Sequence, residues 1–93
     1  MTLATRTVTL PGGLQATLVH QPQADRAAAL ARVAAGSHHE PSRFPGLAHL
    51  LEHLLFYGGE RYQDDDRLMG WVQRQGGSVN ATTLARHSAF FFE

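Results

Sequence analysis

Hydrophobic residues along this chain of 93 residues fall into short blocks whose spacing alternates between strand-like and helix-like. Residues 6–10 and 14–20 are rich in Thr, Val and Leu and are separated by Pro11-Gly12-Gly13, which predicts two strands joined by a tight turn. A polar break follows at 21–25. Residues 26–35 carry two competing signals. Their alanines favour helix, whereas Ala27, Ala29, Ala31, Val33 and Ala35 form an apolar row of period two. On these residues alone the signals are evenly matched. Gly36 closes the segment, and 37–44 reads as a polar loop containing Pro41.

The period then changes. Pro45 suits the first turn of a helix, where its missing N–H is no loss, and the spacing predicts a helix over 45–57, stopped by Gly58-Gly59. A second helix is expected up to Arg74, with Asp64 as its cap, Asp65 and Asp66 at the positive end of its dipole, and Gly76-Gly77 after it. Residues 78–81 and 84–93 read as further strands, the last ending in Phe90-Phe91-Phe92. The order β-β-(β)-α-α-β-β is an α+β arrangement: an antiparallel sheet with helices packed on one face.

The first helix is the unusual one. In Gly46-Leu-Ala-His-Leu-Leu-Glu-His-Leu-Leu-Phe56, three polar side chains interrupt a leucine-rich run. At about 100° per residue, His49 and His53 lie roughly 40° apart, and Glu52 lies roughly 60° to the other side of His49. Leu47, Leu50, Leu51, Leu54 and Leu55 fill the opposite arc, which predicts a core face and a polar face. Histidines at i and i+4 can converge on one metal ion, and a carboxylate beside them can reach a water that such an ion makes acidic. His-x-x-Glu-His is the inverted form of a common zinc-peptidase motif. Three fixed residues in a window of five also occur by coincidence, and a buried histidine can be hydrogen-bonded and inert.

Composition narrows the partners. Eight basic and eight acidic residues give a formal net charge of zero, so there is no surplus of the kind that marks nucleic-acid binding. Basic residues are scattered, and no apolar run reaches membrane-spanning length, so neither nucleic acid nor membrane is an expected partner. There is no cysteine, which leaves His, Asp and Glu as metal ligands. The lack of cysteine and of a signal pattern at the N-terminus fits the cytoplasm, with the periplasm still open.

The motif and its surroundings resemble the insulinase/pitrilysin (M16) family of zinc metallopeptidases. Besides the helix, Ala35-Gly-Ser37 resembles the strand end before it, Gly58 and Tyr62 the segment after it, and Gly76-Gly-Ser-Val-Asn-Ala-Thr-Thr83 the family's "Gly-Gly-x-x-Asn-Ala-x-Thr" stretch. The wording Val-Gln-Arg-Gln-Gly-Gly and Phe-Phe-Phe-Glu is most similar to bacterial members that trim the small precursor peptide of a cofactor. The resemblance implies Zn2+ as cofactor, His49 and His53 as its ligands and Glu52 as general base. It implies that Asn80 and Ala81 lie on an edge strand where a peptide substrate adds as another strand, and that 26–35 is a strand. By itself Asn80 could instead shape a turn.

Some positions depart from the family. Gly59 stands where Thr is usual, Asp64 near a usual Pro, Arg86 for a frequent acid, and Thr82 where a larger apolar residue often lines a substrate pocket. His87 is expected to be structural, and His38 and His39 solvated in their loop. Catalytic zinc takes three protein ligands, and the family's third is a Glu several tens of residues past the motif, beyond Glu93. Residues 1–93 are therefore expected to form the N-terminal part of the first M16-type domain, with little peptidase activity alone. The alternative is a non-catalytic M16-like peptide-binding or partner subunit, although such proteins usually lose the motif.

Overall fold

The computed structural model describes residues 3–63 and 66–93. Strands β1 (Ala4–Thr9) and β2 (Gln15–His20) form an antiparallel hairpin with Val8 opposite Ala16. Leu10 closes it, donating to the Leu14 carbonyl at 2.7 Å. A second sheet holds β3 (Ala29–Val33), β4 (Val79–Thr83) and β5 (Ser88–Phe92), antiparallel and in the order β3-β5-β4. The antiparallel α+β arrangement is the expected one, its strands divided between two sheets among the described residues, because no strand bridges β2 and β3. The ambiguous alanine-rich segment is strand, with Leu30 opposite Phe91 and Arg32 opposite Ala89. Pairing with β5 overrides the helical preference of its alanines.

Helix α1 spans Leu47–Leu55, inside the expected 45–57, and α2 spans Leu68–Arg74. The start of α2 differs from expectation. Asp66 donates its N–H to the Gln63 carbonyl at 3.0 Å, and the helix begins after Arg67, which supplies no side-chain cap. The expected cap Asp64, with Asp65, lies outside the described residues. Residues 84–87, expected in the last strand, are instead the β4–β5 turn, where Leu84 donates to the His87 carbonyl at 2.9 Å. A short 3₁₀ turn at Ser37–His39 links β3 to α1. Ser37 N–H donates to the Leu84 carbonyl at 2.9 Å and His38 N–H to the Ala85 carbonyl at 2.8 Å, pinning this link against the β4–β5 turn. Gly36 is required here: a Cβ would collide with the Leu84 carbonyl oxygen.

The leucine face of α1 is not the core that its pattern predicts. Leu47, Leu50, Leu51, Leu54 and Leu55 are all exposed, Leu51 by 55%. An open apolar cleft of about 290 Å³ lies between Leu47, Leu51 and Leu55 on one side and Val33, Ala35 and Phe90 on the other. The side of α1 turned inward carries Ala48, Glu52 and Phe56, and Glu52 is only 8% exposed. Among the described residues Val72 is the one buried hydrophobic side chain. The radius of gyration, 15.7 Å, exceeds the roughly 12 Å of a compact domain of this length. These residues do not cover one another's apolar surface, which is the physical reason the leucine face stays open. No helix among the described residues is long and apolar enough to cross a membrane.

Candidate metal centre

Helix α1 is held at its N-terminus by a carboxylate from the preceding loop. Gly46, the N-cap, has a left-handed backbone (φ 87°) and no side chain to cap with. Glu40 supplies what is missing: its Oε1 accepts the Gly46 N–H at 2.9 Å and its Oε2 the Ala48 N–H at 2.7 Å. Both are main-chain donors that a helix leaves without internal partners, at the end where the dipole favours negative charge. Glu40 therefore fixes where the helix starts, three residues before His49.

The helical repeat then does what the spacing predicts. His49 Nε2 and His53 Nε2 stand 3.0 Å apart, with ring centroids at 4.7 Å and planes inclined by 61°. Two nitrogens each about 2.0–2.1 Å from a tetrahedral zinc ion would be about 3.3 Å apart, so small torsional adjustments suffice for both to grip one ion. Glu52 completes the group: one ligand atom from each of the three residues lies within 4.8 Å of the others. Among the described residues this is the one cluster of His, Asp and Glu able to hold a metal ion, so neither Glu60 nor Glu93 joins it. Both histidines are exposed, whereas Glu52 is buried between α1 and β4. There its Oε2 accepts a hydrogen bond from the Thr83 hydroxyl.

Strand β4 forms the far wall. It lies at the edge of its sheet, paired with β5 on one side only. Antiparallel ladders alternate between hydrogen-bonded and non-hydrogen-bonded pairs, and Ser78 and Glu93 exchange both main-chain bonds at 3.0 and 2.9 Å, which sets the phase. Val79, Ala81 and Thr83, opposite Phe92, Phe90 and Ser88, are consequently the residues whose main-chain groups turn away from β5 towards the open edge. The Ala81 N–H is taken by Asn80 Oδ1 at 2.8 Å. Asn80 is therefore a strand residue rather than a turn former. Side chains alternate as well: Val79, Ala81 and Thr83 are half-buried, and Asn80 and Thr82 are exposed. A cleft of about 360 Å³ joins these parts, lined among others by Ser37, Glu40, His49, Glu52, Ala81 and Thr83.

Of the sequence-predicted residues, His49, Glu52 and Ala81 line this cleft; His53 joins His49 and Glu52 in the cluster, whereas Asn80 lines a separate cleft with Leu30 and Phe91. His87 is half-buried and outside the cluster. His39 serves its loop, its Nδ1 accepting the Gly36 N–H at 3.0 Å. Sequence reasoning missed Glu40 and Thr83. An acid six residues before an uncapped helix start was a usable signal for Glu40. For Thr83 the signal was period two counted from Ala81.

Comparison with known proteins identifies the relatives of this chain. The model of the insulinase family (Peptidase family M16) matches residues 15–93. Coenzyme PQQ synthesis protein F of Pseudomonas aeruginosa is 60% identical over 84 residues, 90% of this chain and 11% of that protein. The A-factor-processing enzyme of Saccharomyces cerevisiae is 42% identical over 88 residues, 95% of this chain and 9% of that one. The crystal structure of pitrilysin superposes with a TM-score of 0.89 at 33% identity, covering 97% of this chain and 10% of pitrilysin. The chain therefore spans about a tenth of the length of the relatives it matches.

Proposed function

The chain belongs to the insulinase family of peptidases, family M16, and from that premise we propose that it carries the metal-binding helix of a zinc metalloendopeptidase acting on small peptides. The observation that carries the reading is the convergence of His49 Nε2, His53 Nε2 and the Glu52 carboxylate on one face of α1. His49 and His53, as neutral imidazoles, would hold the zinc ion, and a third protein ligand would come from beyond Glu93. When bound, zinc supplies Lewis acidity, which polarises the scissile carbonyl and makes water a competent nucleophile near neutral pH. Glu52 takes the proton from the attacking water on its carboxylate and delivers it to the nitrogen of the departing amine. One water is consumed, and a free carboxylate and a free amine result.

The open edge of β4 supports a position for the substrate. An extended peptide pairs with the outward main-chain groups of Val79, Ala81 and Thr83, displacing Asn80 Oδ1 from the Ala81 N–H. Main-chain pairing of this kind binds a backbone with little regard to side chains. The names of the Pseudomonas relatives favour a role in coenzyme PQQ synthesis, and the proposed substrate within it is the precursor peptide of that cofactor. The exposed leucines of α1 and the tenth of relative length spanned support a further part of the reading. Residues 1–93 form the N-terminal part of the first M16-type domain, whose remainder covers the leucine face.

The test uses the full-length protein. Chelation should abolish cleavage of small peptides and zinc should restore it. Glu52→Gln should lower kcat by about 100- to 10,000-fold while zinc stays bound. Retained cleavage in zinc-loaded Glu52→Gln would remove Glu52 from its role. A wild type that binds peptide but never cleaves it would favour the non-catalytic alternative.

A further inference from the structure

We infer that Thr83 is the positioning residue for Glu52, and that it ties the base to the strand edge on which a substrate peptide pairs. The inference rests on the reading of Glu52 as the base.

Two facts meet at Thr83. Its side chain points to α1, where the hydroxyl donates to Glu52 Oε2. Its main chain, by the alternation of the β4–β5 ladder, points to the open edge of β4. A glutamate has three side-chain torsions and sweeps a wide arc when nothing holds it. Here burial of Glu52 leaves little room, and the hydroxyl selects which of its remaining orientations is occupied. The two residues are 31 apart in sequence and belong to different elements, so the bond also sets the distance from α1 to β4. A peptide paired along Val79, Ala81 and Thr83 is thereby registered against the residue that aims the carboxylate. The hydroxyl is the chemically active part: it can donate to a carboxylate, and valine, of nearly the same shape, cannot.

The experiment compares Thr83→Val, Thr83→Ser and Glu52→Gln in the zinc-loaded full-length protein. It measures kcat, KM, zinc content and melting midpoint. Thr83→Val should lower kcat by about 10- to 100-fold, the usual effect of removing a group that orients an active-site residue. KM should stay within about two-fold of wild type, because the main chain of Thr83 is unchanged, and zinc content and melting midpoint should also hold. Thr83→Ser, which keeps the hydroxyl, should recover most of the lost kcat. Wild-type kcat in Thr83→Val overturns the inference, as does a Thr83→Ser variant as slow as Thr83→Val. If Thr83→Val loses zinc or melts early, Thr83→Ala carries the same expectation. Zinc loss in both then overturns the inference in favour of a purely structural tie. Activity in Glu52→Gln defeats the base itself, whereas an inactive Glu52→Gln beside a fully active Thr83→Val defeats only the positioning role.

Discussion

Removing the Glu40 carboxylate should weaken zinc binding without touching either histidine. Glu40 makes two charge-assisted bonds to α1, at 2.9 Å to the Gly46 N–H and 2.7 Å to the Ala48 N–H. Loss of a helix cap costs about 0.5–2 kcal/mol, and a charge at the positive end of the dipole adds about 0.3–1 kcal/mol. Glu40 is half-exposed, so solvent screens part of this, and about 1–2 kcal/mol is the working figure for Glu40→Ala. The two Nε2 atoms meet at 3.0 Å only when the first turn of the helix is formed. If the whole cost is transmitted to binding, the zinc Kd rises by about 5- to 30-fold, since about 1.4 kcal/mol is tenfold. Competition with a chromophoric chelator, using metal-free full-length protein, measures this directly. Glu40→Gln, which keeps one acceptor oxygen and loses the charge, should fall between wild type and Glu40→Ala. A Glu40→Ala protein with normal helix content and a Kd within about two-fold of wild type would refute the argument that the loop carboxylate holds the metal helix in place.

Three further outcomes follow from the same structure. Gly36→Ala should lower the melting midpoint of the full-length protein, because its Cβ meets the Leu84 carbonyl oxygen and overpacking costs about 1–3 kcal/mol; an unchanged midpoint contradicts the close approach. Residues 1–93 expressed alone should bind a hydrophobic dye and self-associate through the exposed leucines of α1. Replacing Leu51 and Leu54 by Glu should reduce both effects, and equal dye binding in the double variant would show that another surface is responsible. His49→Ala and His53→Ala should each abolish stoichiometric zinc binding, whereas His87→Ala, outside the cluster, should leave it intact; metal analysis after gel filtration separates the three.

Much of the architecture was legible because its signals are local. The glycines and prolines that bracket α1, and the i, i+4 placement of its histidines, depend on nothing beyond a dozen residues. What the local pattern left open or missed depends on distant neighbours. The evenly matched signals of 26–35, which the resemblance reads as strand, are resolved physically by pairing of β3 with β5. The leucine stripe of α1 predicts burial, but a stripe says only that a cover is wanted, not that these residues provide it. Helix α2 begins only at Leu68, later than the run of acidic residues suggests. Glu40 and Thr83 act across loops and between elements, on partners their own segments do not name. The motif gave the identities of the candidate metal ligands; the fold supplied the groups that hold them in place.

The central claim, that one face of α1 grips a divalent ion beside its base, is tested most directly by anomalous diffraction at the zinc edge from crystals of the full-length protein. The account predicts a single peak about 2.0–2.1 Å from both His49 Nε2 and His53 Nε2, with the Glu52 carboxylate adjacent. A stoichiometric ion bound elsewhere, or one reached by only one of these two histidines, would contradict it.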